Sequence, residues 1–356
     1  MDKNLKLNSE EIIQELGNLN KRFSGKKILL TGAAGILGCQ LVHYFIDLNN
    51  SKILERPCQL YAWDNYLRGI PYWMNDIKEN SNIHIQRKDI ILDTDYPNPD
   101  FIIHAASIAS PIYYRKYPIE TIDSNVTGLK NLLEFSKNNS IESFIYFSTS
   151  EIYGDPDSKN IPTSENYRGF VSCTGPRACY DESKRLGETL CVNYSQVYNI
   201  PVKIVRPFNN YGPGLKITDK RVIPDFFRDV INNRDVTIFS NGKDTRTFCY
   251  ISDAVIGYIR VLLSKYDGEP FNIGIEFPEI SIGELAEKII SISGKNLNVN
   301  YKKNDDIAYL TDNPHRRCPS IKKARELLKY NPKIEIEEGL RRTYQYYLDH
   351  PSDDEL

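Results

Sequence analysis

From residue 27 to about residue 205 the chain alternates short apolar runs with longer segments of helical periodicity. The runs predict strands near 27–31, 59–63, 83–86, 101–105, 143–148 and 202–206. The periodic segments, such as Leu37, Leu41, Val42 and Phe45, predict helices near 37–48, 118–138 and 180–198. Strands and helices in alternation favour an α/β fold with a doubly wound parallel sheet, covered by helices on both faces.

Beyond residue 206 the texture changes. Pro207, Gly212, Pro213, Gly214, Pro224 and Asn241-Gly242 break the chain into short elements, with helices predicted at 221–233, 252–265, 281–293, 320–328 and 336–349. The organisation read from this is a sheet domain over 26–205, with a later segment of about 245–270 returning to it, and a smaller α/β lobe over 206–350 suited to closing over a substrate. Ahead of both, residues 1–25 read as a helical extension, with Asn8 and Glu11 spaced as a capping box before Ile12, Ile13 and Leu16. It is expected to serve as a packing or dimer element.

Composition narrows the partners. A net charge of -2 over 356 residues gives no field that would draw nucleic acid or an anionic membrane. No apolar run approaches the roughly 18 residues of a spanning helix, so a soluble protein is expected. The seven cysteines form no C-x-x-C and the five histidines lack metal-ligand spacing. Reduced thiols, a cytoplasmic location and no metal follow as expectations.

The chemistry starts at Lys27-Ile28-Leu29-Leu30-Thr31-Gly32-Ala33-Ala34-Gly35-Ile36-Leu37-Gly38, a strand, tight turn and helix. Gly32 permits the turn, Gly35 lets a pyrophosphate approach the backbone, and Gly38 allows close helix-strand packing. The second strand closes at Asp64-Asn65, where a carboxylate accepts from a ribose 2′-hydroxyl and repels a 2′-phosphate, which favours NAD over NADP. Lys88-Asp89-Ile90 and His104-Ala105-Ala106-Ser107 close the third and fourth strands, at the sheet edge where such folds bind ligands. His104 itself reads as a packed residue, and the small residues after it leave room for a cofactor and substrate.

Tyr180 and Lys184 stand four residues apart, on one face of a helix. An ammonium beside a phenol favours phenolate, so Tyr180 is expected to titrate below the usual value of about 10 and to act as a general base. After the fifth strand, Ser148-Thr149-Ser150-Glu151 supplies a hydroxyl at Thr149 and a carboxylate at Glu151 at the same sheet edge.

Together with Gly175-Pro176-Arg177-Ala178-Cys179-Tyr180, Arg206-Pro207-Phe208-Asn209-Asn210-Tyr211 and Thr245-Arg246-Thr247-Phe248, these motifs resemble the extended short-chain dehydrogenase/reductases that act on nucleotide sugars. The similarity runs from about residue 26 to 347 and is strongest to the UDP-glucuronate decarboxylases. It implies NAD as cofactor, a UDP-sugar as substrate, a lyase acting through a 4-keto intermediate, and a homodimer packed through the helices near 118–138 and 180–198. It implies Tyr180 as base, Lys184 on the nicotinamide ribose, Thr149 beside the sugar 4-hydroxyl, and Ser150, Glu151 and Arg317 around C5 and the carboxylate. Ser110, Tyr114, Asn209, Arg221 and Arg246 fall at substrate positions. Gly32, Gly35, Ile36, Leu37, Gly38, Asp64, Asn65, Asp89, Ile90, Ala105 and Ser107 fall at cofactor positions.

Alternatives stay open. A 4,6-dehydratase places Asp before the Glu as an acid that expels water, and here Ser150 stands instead. A 4-epimerase needs neither Glu151 nor a carboxylate-facing Arg, and a binding protein without turnover needs no poised base. Two departures from the decarboxylase pattern, Ser172-Cys173-Thr174 and Gly214, touch the sugar and nucleotide sides.

Overall fold

A computed structural model describes residues 2–77, 80–303 and 311–351. Seven strands form one sheet: β1 (Lys27–Thr31), β2 (Gln59–Asp64), β3 (Ile83–Arg87), β4 (Phe101–His104), β5 (Ser143–Phe147), β6 (Val202–Pro207) and β7 (Pro270–Ile273). They lie in the order β7-β6-β5-β4-β1-β2-β3, and every neighbouring pair is parallel. The order reverses between β1 and β4, which opens a crevice beyond their C-terminal ends.

Both faces of this sheet are buried, and the period of two along each strand sorts its residues between two cores. Leu30, Ile103, Ile145 and Val205 pack with Phe45 and Val255 on one side. Leu29, Ile102, Phe144 and Ile204 pack with Leu133 and Cys191 on the other. Each such side chain contributes roughly 1.5–3 kcal/mol by leaving water, which is why the strands read as apolar runs.

The segment 118–138 is helical but not one regular helix. Between Pro118–Asp123 and Leu129–Asn138 lies a wider π-helical turn, Ser124–Gly128. Asn125, inside that turn, donates to Ser183 Oγ at 2.9 Å, and Ser183 in turn donates to the Tyr180 carbonyl at 3.0 Å. The irregular turn thus fastens the helix Ala178–Tyr198 that carries Tyr180.

Past β6 the short strands hold the second lobe together. Thr245–Arg246 pairs with Ile280–Ser281 on one side and Arg316–Arg317 on the other, and Val236–Ile238 pairs with Val299–Tyr301. None of these pairings was legible as periodicity.

The N-terminal helix runs Lys3–Leu16 and is capped by Asp2, which accepts from the Asn4 and Leu5 amides. Asn8 and Glu11 therefore lie inside it, not at its start. Asn8 is fully buried, donating to Gln40 Oε1 at 2.9 Å and accepting from Tyr250 Oη at 3.0 Å. Glu11 accepts from Arg342 at 2.9 Å. With Leu5, Ile12 and Leu16 buried, this helix packs on the helices Ile36–Asn50 and Ile251–Leu262.

Candidate active site

A cavity of about 660 Å³ lies at the C-terminal edge of the sheet, over the crevice between β1 and β4. Its first wall is the glycine turn. Gly32 has φ +77°, and a Cβ there would meet the Ala106 amide at 2.6 Å. A Cβ on Gly38 would meet the Ala33 carbonyl at 2.3 Å, so Gly38 closes the helix onto the turn and does not itself face the cavity. A Cβ on Gly35 would meet nothing nearer than 3.4 Å, leaving the N-terminus of the helix Ile36–Asn50 open to the cavity. Open amides at a helix start suit a phosphate.

Asp64 lines the same wall, its two oxygens accepting from the Ala34 amide at 2.9 Å and the Tyr66 amide at 2.8 Å. Burial raises its carboxyl despite those bonds and the nearby Lys216 and Arg68. Asn65, Asp89, Ile36, Leu37, Ile90, Ala105 and Ser107 line the cavity too, with Asn65 donating to Asp89 at 3.2 Å. The Ser107 and Ser148 hydroxyls are buried without a partner among the described residues. An open glycine, unpartnered hydroxyls and a carboxylate at the strand end fit a dinucleotide.

The second wall carries the reacting groups. Thr149 lies just past β5 and caps the tight turn Ser150–Tyr153, its hydroxyl accepting from the Glu151 amide at 3.2 Å. Tyr180 is buried against Tyr114, the rings stacked 5.1 Å apart. Burial pushes the Tyr180 phenol up to about 12, with the Thr149 hydroxyl beside it pulling the other way. The lowered phenol expected from the Tyr180/Lys184 spacing is therefore not found in the protein alone. Lys184 donates to the Phe147 carbonyl at 2.7 Å, its Nζ 5.9 Å from the Tyr180 ring, and burial lowers it to about 7. Spacing puts the pair on one face but says nothing of the desolvation that each suffers there.

Glu151 is the electrostatic centre. Burial would raise its carboxyl, but Arg317, Arg177 and Arg246 outweigh that and hold it below the ordinary carboxylate range. Arg177 pairs with it closely and Arg317 Nη2 donates to it at 2.9 Å. Arg317 does not line the cavity; it lies behind Glu151, its Nη1 bonded to the Ser150 and Gly154 carbonyls. Arg246 does line it, while donating to the carbonyls of Thr245, Pro314 and His315. Asp181, buried beside Arg177, is raised to about 7, chiefly by desolvation.

Ser110, Tyr114, Asn209 and Arg221 also line the cavity. Ser110 donates to the Asp219 carbonyl at 2.9 Å and Asn209 to the Thr247 carbonyl at 2.9 Å, so both fix loops. Among the lining residues that escaped the sequence reading are Arg177, Arg68, Lys216 and Asp219. Fully buried Asp219 pairs with Arg221 and with Arg68 at 2.8 Å, tying the loop after β2 to the loop after β6. The four-residue step from Arg177 to Asp181 at a helix start was the available signal for the first; the Asp219 cluster is built by tertiary contact and left none.

His104 is buried and fully consistent with packing. Its Nδ1 lies 2.8 Å from Thr31 Oγ1, and desolvation lowers it to about 3, so it is neutral.

This constellation agrees with what the chain resembles. Residues 28–274 match the NAD dependent epimerase/dehydratase family, and the chain belongs to it. It is 35% identical over 316 residues to UDP-glucuronic acid decarboxylase 1 of Arabidopsis thaliana, covering 89% of this chain and 68% of that protein. Among solved structures, an epimerase from Methanothermobacter thermautotrophicus superposes with TM-score 0.80 at 27% identity, over 95% of this chain and 96% of that one. The UDP-glucuronic acid 4-epimerase of Bacillus cereus, solved with UDP-glucuronic acid and NAD, gives TM-score 0.75 at 26% identity, over 91% of this chain and 99% of that one.

Proposed function

We propose that the chain is an NAD-dependent nucleotide-sugar decarboxylase that converts UDP-glucuronate to UDP-xylose or its 4-keto precursor. The observation that carries this reading is the ring of Arg177, Arg317 and Arg246 around Glu151, next to Tyr180 and Thr149. Arginine suits a planar carboxylate, and a neutral sugar would leave that charge unmet.

Bound NAD would be held by the glycine turn, Asp64, Asp89, Tyr180 and Lys184, and supplies a hydride acceptor at the sugar C4 that later returns the hydride. The Tyr180 phenolate would be favoured, against the burial that raises the phenol, by the positive charge of bound NAD+; Tyr180 then takes the proton of the 4-hydroxyl, while Thr149 holds that oxygen in place. The resulting β-keto acid loses CO2 as the electrons of the broken C–C bond enter the ketone, and the enolate so formed takes a proton from water at C5. Glu151 remains ionised and is positioned near C5. Ser150, with a hydroxyl of very high pKa, is a poor acid for expelling water, which disfavours a dehydratase.

A second reading, 4-epimerisation of the same substrate, is favoured by the similarity to the Bacillus cereus epimerase. The decarboxylase relatives are nearer in sequence, 35% against 26%. The two lobes, 26–205 with its later returns and 206–350, then divide cofactor and sugar between them. Exposed Ile119, Ile122, Leu186 and Val197 on the helices Pro118–Asp123 and Ala178–Tyr198 support a homodimer through those faces. The seven cysteines are free thiols, which supports a reducing, cytoplasmic compartment. Among the described residues no helix is long and apolar enough to cross a membrane.

The test is product analysis with NAD+ and UDP-glucuronate, UDP-glucose or dTDP-glucose in turn. Consumption of the uronate alone, to a product lighter by CO2, is expected. A product of unchanged mass would make the protein an epimerase, and one lighter by water a dehydratase.

A further inference from the structure

Three guanidiniums converge on one carboxylate at the cavity wall. Arg177 and Arg317 bond Glu151, and Arg246 acts on it through its field. Asp181 adds a second carboxyl, accepting from Arg177 Nε at 3.4 Å, and its other oxygen is buried without a partner. Glu151 and Asp181 answer the nearest of these charges, while Asp244 acts on Arg246 and Asp155 on Arg317 through their fields. What the site leaves open is therefore a matter of geometry: a guanidinium edge that faces the cavity without a hydrogen-bond partner can take a further carboxylate.

The three arginines are not equally free to meet it. Arg317 does not line the cavity; its Nη1 and Nη2 are committed to the Ser150 and Gly154 carbonyls and the Glu151 carboxylate, and its Nε is buried without a partner among the described residues. Arg246 is committed to three backbone carbonyls. Arg177 faces the cavity, and its Nη1 has no hydrogen-bond partner among the described residues. Its guanidinium stands 6.0 Å from the Tyr114 ring centroid, and that ring stacks on Tyr180. Arg177 and Tyr180 thus line the same cavity, with Tyr114 linking them.

We propose that Arg177 recognises the sugar carboxylate and selects a uronate over a neutral sugar, while Arg317 holds Glu151 in place. This rests on the uronate reading above and assigns the carboxylate to a different arginine from the one that the sequence resemblance implies. The carboxylate is present in the bound substrate and disappears as CO2 leaves. The contact therefore acts on binding and appears in KM more than in kcat.

The test compares UDP-glucuronate with UDP-xylose, which differs by the carboxylate alone. Binding is measured by calorimetry on the NAD-loaded protein in a Tyr180→Phe background, so that nothing turns over. Arg177→Gln is expected to weaken UDP-glucuronate roughly ten- to hundredfold and UDP-xylose by less than about twofold. Arg177→Lys, which keeps a charge for Glu151 but not the fork, falls between and covers the case in which the glutamine variant fails to fold. An equal loss for both ligands, or none for either, overturns the assignment. So does a selective loss on Arg317→Gln that Arg177→Gln does not show. If the Tyr180→Phe protein itself binds the two ligands alike, the uronate reading falls and the assignment with it.

Discussion

Arg246 and Arg317 are register partners on neighbouring parallel strands, so two buried arginines stand next to each other across the pair. Burial, with Arg317 adding to it, lowers Arg246 to about 10. Like charges so placed are tolerated because Glu151 and backbone carbonyls surround them, and a bound diphosphate would relieve Arg246, the one that lines the cavity. UDP at a hundred times its Kd is expected to stabilise the protein by about 2.7 kcal/mol. In Arg246→Gln the UDP-induced rise in Tm should shrink by at least half. A rise equal to that of the unaltered protein would place the diphosphate elsewhere.

Gly35 and Gly38 differ in what a methyl group would meet. Gly38→Ala drives a Cβ into the Ala33 carbonyl and is expected to cost about 1–3 kcal/mol of stability. Gly35→Ala has room, and its φ of -79° suits any residue, so stability holds or rises slightly. Its methyl faces the cavity, so NAD affinity should fall at least tenfold. Thermal melts with NAD titrations separate the two; unchanged NAD binding in Gly35→Ala would remove the pyrophosphate from this turn.

Lys184 is buried at the expense of stability. Its folded value of about 7 lies below the ordinary 10.5, so the unfolded chain binds more protons between those values and stability falls as pH drops from 10.5 toward 7. Lys184→Met removes this, although it orphans the Phe147 carbonyl at a cost of roughly 1–3 kcal/mol. Relative to the unaltered protein, the variant's stability should improve steadily as pH falls through that window and level off below it, while turnover is lost. A difference independent of pH would mean that the ammonium is not desolvated.

Asn8 joins the N-terminal helix to Gln40 and Tyr250. Asn8→Ala leaves two buried groups unpaired and is expected to cost roughly 2–4 kcal/mol, whereas loss of a helix cap would cost about 1 kcal/mol. Denaturant midpoints distinguish the two.

Asn8 also shows where sequence legibility stopped. A polar residue three before a glutamate looks the same whether it caps a helix or bonds across an interface, and only the packing partners decide. Six of the seven sheet strands were readable, since strands buried on both faces must be apolar throughout, as Ile28–Leu30 and Phe144–Phe147 are, whereas the edge strand Pro270–Ile273 was not. The pairing of Arg246 with Arg317 was not, because two-residue strands have no period. Tyr180 and Lys184 were found by spacing, but their protonation follows from burial, which spacing does not encode. Arg177 stood inside a quoted motif, and its role emerged only with Glu151 on one side and the cavity on the other.

The most direct measurement is release of labelled CO2 from UDP-glucuronate labelled at the carboxyl carbon, with the NAD-loaded protein and with its Tyr180→Phe variant. The account predicts one CO2 for each sugar consumed by the unaltered protein and none from the variant. Consumption of the sugar with its label retained would contradict it.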